Sequence, residues 1–110
     1  MKWTEGRQGS GYFKRLLGCG QFLSIPWDLY LIKFPEGSFI NTHTDPVQPG
    51  DEHYRLNIVV KGAEGGKFHG RTLYETKRVK LFRPDIEPHW VSEVEKGTRY
   101  VLSFGFLLKK

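Results

Sequence analysis

His43, Asp45 and His89 supply two imidazoles and one carboxylate, and Arg99 follows the last of them by ten positions. A His-x-Asp pair with a distant His is the ligand set of the facial triad that binds non-haem Fe(II). Three protein ligands on one face of an octahedral ion leave three positions open. Arg99 adds a permanently charged, forked donor of the kind that holds a carboxylate. A metal with open positions beside a carboxylate clamp can bring an acid and dioxygen together on one ion.

The pair alone is weak evidence. With 4 His and 4 Asp in 110 residues, a His-x-Asp arises by chance in about one such sequence in seven. His53 and His69 also lie downstream, so a later His adds little. The surroundings carry more. Leu29 to Asp45 reads as strand, Pro35-Glu36-Gly37 turn, strand, with His43 and Asp45 at the second strand's end. Arg55-Leu56-Asn57-Ile58-Val59-Val60, Gly65-Gly66-Lys67-Phe68 and Phe82-Arg83-Pro84 follow, and then His89 through Arg99 to Ser103.

With these segments in this order, the chain resembles the 2-oxoglutarate/Fe(II)-dependent oxygenases of the prolyl-hydroxylase-like kind, and among them the small bacterial and phage members. The resemblance runs from about Asp28 to Leu108. It implies a double-stranded β-helix (a jelly roll, cupin-like) with Fe(II) on His43, Asp45 and His89. The C5 carboxylate of the co-substrate 2-oxoglutarate would lie on Arg99, and O2 on the remaining metal position. The implied reaction hydroxylates an organic substrate, a peptidyl residue such as proline being favoured, and releases succinate and CO2. No catalytic side chain beyond the metal ligands is required, since the oxidising chemistry belongs to iron and co-substrate. One departure stands out: many prolyl hydroxylases have a Tyr near the position of Phe34, and Tyr30, with the same facing, is the expected substitute.

The elements that must position these residues read as strands. Gly and Pro punctuate strand-sized segments near 27–34, 38–43, 53–61, 66–69, 71–74, 78–83, 87–92 and 98–107. Outside Tyr12 to Leu17 no sustained helical period appears, so an all-β minimal core with few or no helices is expected. Tyr12 to Leu17 fits a short helix or a strand, broken in either case by Gly18-Cys19-Gly20. Residues 1–26 are expected as an extension packing on the core of a single 1–110 domain. Alternation puts Arg99, Val101, Ser103 and Gly105 on one strand face, with Tyr100, Leu102, Phe104 and Phe106 on the other. Ser103 is therefore a further candidate for the co-substrate carboxylate. Arg55, Asn57 and Val59 share a face on a neighbouring strand, with Asn57 read as a co-substrate contact and Arg55 as a substrate contact. Trp90, beside His89, is read either as a substrate contact or as core.

Composition narrows the class. Hydrophobic content of 38% with 15% aromatics supports a folded globule. No apolar run reaches the ~20 residues of a membrane helix and no signal-peptide pattern opens the chain. A lone Cys19 excludes an internal disulfide and fits a reducing cytoplasm. The charge of +5 favours anionic partners, densest at Lys77-Arg78-Val79-Lys80 and Lys109-Lys110. Two other classes stay open: a basic nucleic-acid-binding module using those clusters with aromatics, and a cupin-like metal protein that binds a small acid without oxidising it. Oligomeric state is not legible.

Overall fold

The computed structural model describes residues 3–6 and 8–109. Twelve strands succeed one another: β1 (Thr4–Glu5), β2 (Phe13–Phe22), β3 (Ile25–Phe34), β4 (Ile40–His43), β5 (Asp51–Lys61), β6 (Glu64–Gly65), β7 (Phe68–Gly70), β8 (Tyr74–Glu75), β9 (Val79–Phe82), β10 (His89–Val91), β11 (Val94–Lys96) and β12 (Arg99–Lys109). A major antiparallel sheet runs β1-β2-β3-β12-β5-β9-β8, opposed by the three-stranded β4-β10-β7 and the pair β11-β6. This is the all-β jelly-roll, cupin-like architecture, and no helix occurs among the described residues. None is therefore long and apolar enough to cross a membrane.

Alternation explains the layering. On β12, Arg99, Val101, Ser103 and Gly105 are buried, whereas Tyr100, Leu102, Phe104 and Phe106 form a half-buried outer layer. Tyr12, Phe34, Val91, Val94 and Val101 pack between the layers, with Ile32, Ile40, Val59 and Phe68 against them. Each such side chain withdrawn from water stabilises the fold by about 1.5–3 kcal/mol relative to exposure. Tyr12 stacks on Phe34 with ring centroids 5.7 Å apart.

Part of the N-terminal segment belongs to the major sheet itself. Residues 13–22 are a full strand of the major sheet, paired to β3 along its length. Gly18-Cys19-Gly20 does not break it. The chain bulges between Leu16 and Gly18 and then continues. The glycines have a packing cause: a Cβ at Gly18 would touch the Trp27 indole at 3.4 Å, and one at Gly20 at 3.5 Å. Leu23 and Ser24 both take positive φ, as a two-residue hairpin between right-twisted strands requires. Strand β11 is a further element absent from the sequence-based expectation. Of the terminal basic pair, Lys110 lies outside the described residues.

Candidate metal centre

His43 ends β4 and His89 begins β10, and these two residues are direct partners in the antiparallel register. Their rings stand 4.3 Å apart, centroid to centroid. Asp45 lies just past β4, held by its backbone N–H donating to the Pro84 carbonyl at 2.7 Å. One Asp45 carboxylate oxygen is 3.7 Å from His43 Nε2, and the other is 3.6 Å from His89 Nε2. All the candidate ligand atoms fall within 4.8 Å of one another. Two ligands about 2.1 Å from one ion at tetrahedral or octahedral angles stand roughly 3.0–3.4 Å apart. The two Asp45–imidazole separations are within a few tenths of an ångström of that spacing.

The donor chemistry fits a metal as well. Each imidazole gives its Nδ1–H to a backbone carbonyl two residues earlier: His43 to Asn41 at 2.7 Å and His89 to Glu87 at 3.0 Å. That tautomer leaves each Nε2 with a free lone pair aimed at the cluster, the usual orienting arrangement behind metal-binding histidines. Gln8 secures the first of these, because its side-chain amide donates to the Asn41 carbonyl and accepts from the Asn41 N–H at 2.6 Å. His89 is 7% exposed and walled by Phe82 and Phe68.

The cluster opens onto a cavity of about 340 Å³ between the two layers. Inward-facing residues of β2, β3, β5, β9 and β12 line its major-sheet wall, and Ile40, Phe68 and Val91 line the opposite one. Arg99, Ser103, Asn57, Tyr30 and Arg55 all face this space. Their environments differ sharply.

Arg99 is 9% exposed, and among the described residues no carboxylate lies within ion-pair distance of it. Burial alone lowers its proton affinity from the ordinary value. Its guanidinium lies 6.0 Å from the Phe34 ring centre. Gly66, at φ +62°, gives its stem room: a Cβ there would sit 3.3 Å from Arg99 Cδ and 2.6 Å from Val94 Cγ2. Arg55 is neutralised. Arg55, Gly105 and Asp28 are level on three adjacent strands, and the guanidinium crosses over Gly105 to reach Asp28 at 2.7 Å. Its other nitrogen donates to Ser103 Oγ at 2.8 Å.

Ser103 is thus bound to Arg55. It stands four residues from Arg99, roughly 13 Å along a strand, so its hydroxyl belongs to a different level of the cavity. The hydroxyl expected on the Arg99 carboxylate accepts from Arg55 here. Asn57 lies opposite Ser103, and its buried Oδ1 has no hydrogen-bond partner among the described residues. Trp90 is not core: with His89 and Val91 turned inward, alternation turns Trp90 outward, 39% exposed and stacked on His69 at 5.1 Å. It does not line this cavity. Lys14 and Asp28 do line it and escaped the sequence reading. Lys14 would have emerged from assigning residues 13–22 to a strand, since Tyr12 and Lys14 share the inner facing.

His53 also faces the cavity. Burial, and then the Arg55 charge, hold its imidazole below the ordinary value, favouring the neutral form. The basic run is mostly engaged elsewhere: Arg78 donates to the Val59 carbonyl, and Lys80 pairs with Glu75 at 2.6 Å.

No protein-family model matches the chain, and no curated protein matches it in sequence. Solved structures do. A prolyl-4-hydroxylase from Pseudomonas putida aligns over 99% of this chain and 78% of that one, with a TM-score of 0.72 and 13% identity. KdgF from Halomonas sp. aligns over 96% and 86%, with a TM-score of 0.58 and 15% identity. The Rhodobacter sphaeroides complex of SigE with the anti-sigma ChrR aligns over 96% of this chain but 48% of that one, with a TM-score of 0.55 and 18% identity. At these identities the likeness shows the fold: a jelly roll carrying a His-Asp-His cluster able to hold a metal ion.

Proposed function

We propose that this chain is an Fe(II)- and 2-oxoglutarate-dependent dioxygenase that hydroxylates an organic substrate. The observation that carries the reading is Arg99: a buried cation without a carboxylate partner among the described residues, lining the same cavity as the His43-Asp45-His89 cluster. A charge withdrawn from water with nothing opposite it is costly, and an acid bound in the cavity would compensate it. The name of the Pseudomonas putida neighbour supports the hydroxylase assignment and, with it, a peptidyl residue such as proline as substrate.

In this reading His43, Asp45 and His89 hold Fe(II), and the ion with 2-oxoglutarate and O2 supplies the oxidising chemistry, with succinate and CO2 as co-products. The chain's own part is positional. The two carbonyl-anchored imidazoles fix the ligand face. Arg99 draws the C5 carboxylate toward the closed end beside Phe34 and Val101. Phe68, Phe82 and Val91 give the cavity an apolar wall beside the cluster. Asn57, expected to contact the co-substrate, lines the same cavity.

The test is anaerobic addition of Fe(II) and then 2-oxoglutarate to the metal-free protein, recorded as a visible charge-transfer spectrum. A band needing both components supports the reading, and its absence overturns it. A cupin-like protein that holds an acid without oxidising it draws on the same triad and Arg99. Release of succinate under air separates that reading from the oxygenase.

A further inference from the structure

Counting charges along the cavity wall leaves two cations over. Asp28 and Arg55 neutralise each other at 2.7 Å. Lys80 is taken by Glu75 at 2.6 Å, and Asp45 belongs to the candidate metal cluster. Arg99 and Lys14 have no carboxylate within ion-pair distance among the described residues. The co-substrate has two carboxylates, one for the metal and one for Arg99. Lys14 is therefore a positive charge the co-substrate does not use.

Register separates the two cations. Lys14 pairs with Ile32, and Ile32 with Val101, whereas Arg99 pairs with Phe34. Lys14 stands two strands from β12, about 9.5 Å across the sheet. Its Nζ lies 5.1 Å from the centre of the Tyr30 ring, and Tyr30 pairs with Ser103. The ammonium thus lies over the Tyr30 ring, and Tyr30, expected from the sequence to hold the co-substrate, stands level with Ser103 rather than with Arg99. An ammonium and a phenol on one wall of a largely apolar cavity form a receptor for a single anionic group.

We infer that Lys14, with Tyr30, is a specificity-determining anion subsite, and that the primary substrate carries a carboxylate. This rests on the oxygenase reading and sharpens its substrate class. The carboxylate comes from a small free acid or from the C-terminal residue of a peptide. Within the peptidyl class this favours a C-terminal residue over an internal one whose own side chain is neutral, such as internal proline. The cavity's 340 Å³ stands at the small end of ligand pockets, which matches one small acidic group beside the co-substrate.

The experiment uses the full chain loaded with Zn(II), which binds without turnover. Calorimetry first gives the 2-oxoglutarate affinity of wild type, Lys14→Met, Lys14→Arg and Arg99→Met. The first three should agree within about threefold, while Arg99→Met weakens at least tenfold. Matched acids and amides are then titrated with 2-oxoglutarate saturating: N-acetylproline and N-acetylprolinamide, lactate and lactamide, and Gly-Ala-Pro with a free or amidated end. At least one acid should bind tenfold or more tightly than its amide in wild type and in Lys14→Arg, with the preference lost in Lys14→Met. Preference for the tripeptide acid alone would identify a peptide C-terminus as the source. No acid preference in wild type, or the same preference in Lys14→Met, overturns the subsite. So does a loss of 2-oxoglutarate affinity in Lys14→Met, which makes Lys14 a co-substrate contact. Absence of 2-oxoglutarate binding to wild type instead overturns the oxygenase reading beneath it.

Discussion

Replacing Arg99 by Met should weaken co-substrate binding and stabilise the metal-free protein at the same time. Arg99 is 9% exposed, and only burial acts on its proton affinity. Met retains an unbranched stem to pack against Gly66 and Val94, so little cavity is left. Removing a buried charge in favour of a well-packed apolar group is neutral or stabilising in comparable cases, by about 1–4 kcal/mol for whole ion pairs. For this single cation, already relieved in part by the cavity, about 1 kcal/mol is expected. In a domain of this size that raises the thermal midpoint by about 4–8 °C. The bound state reverses the sign. A hydrogen bond to a charged group contributes about 1.5–3 kcal/mol, which converts to roughly a 10- to 150-fold loss of 2-oxoglutarate affinity. Urea unfolding of the apo protein and calorimetry on the Zn(II) form measure the two halves separately. A variant that loses stability while keeping its 2-oxoglutarate affinity would refute the reasoning, because Arg99 would then be a structural cation.

Three further outcomes follow from the same geometry. Gly105→Ala places a Cβ 2.2 Å from Arg55 Nη2, so the guanidinium must swing off Asp28 and Ser103. The expected destabilisation is about 1.5–3 kcal/mol, read by urea unfolding; a neutral result would mean that the bridge contributes nothing. Asp85→Ala should cost about 3 kcal/mol, since Arg83 grips that carboxylate through two nitrogens at 2.9 and 2.7 Å. Burial raises the Asp85 carboxyl pKa, but hydrogen bonds, chiefly from Arg83, outweigh it and hold the value below the usual 3.8. With the folded value depressed, this stabilisation is present above pH 3.8 and fades as pH falls through the folded value. Wild type and Asp85→Ala should therefore converge in stability in strong acid. Finally, His43→Ala and Asp45→Ala should each abolish Fe(II) retention after dialysis with little change in the far-UV spectrum, because both residues lie at a strand end. Retained iron in both variants would remove them from the ligand set.

The sequence by itself determined the chemistry-bearing residues and their facing. His-x-Asp, a later His and Arg99 ten residues on are local or nearly local patterns, and strand alternation is local too. The inward set Arg99, Val101, Ser103 and Gly105 was readable from residues 99–105 alone. Tertiary structure decided how these residues are used. Arg55 and Arg99 are both inward-facing arginines on strands and cannot be told apart by composition or spacing. Register settles it: Gly105 lies between Arg55 and Asp28, so one arginine is neutralised across three strands, while the other faces Phe34 and has no carboxylate partner among the described residues. The same cause hid Lys14. Gly18-Cys19-Gly20 reads as a break until Trp27, across the hairpin, fills the space that the missing side chains leave. Which charges are cancelled and which glycines are accommodated depends on neighbours far away in sequence, and only the folded sheet supplies them.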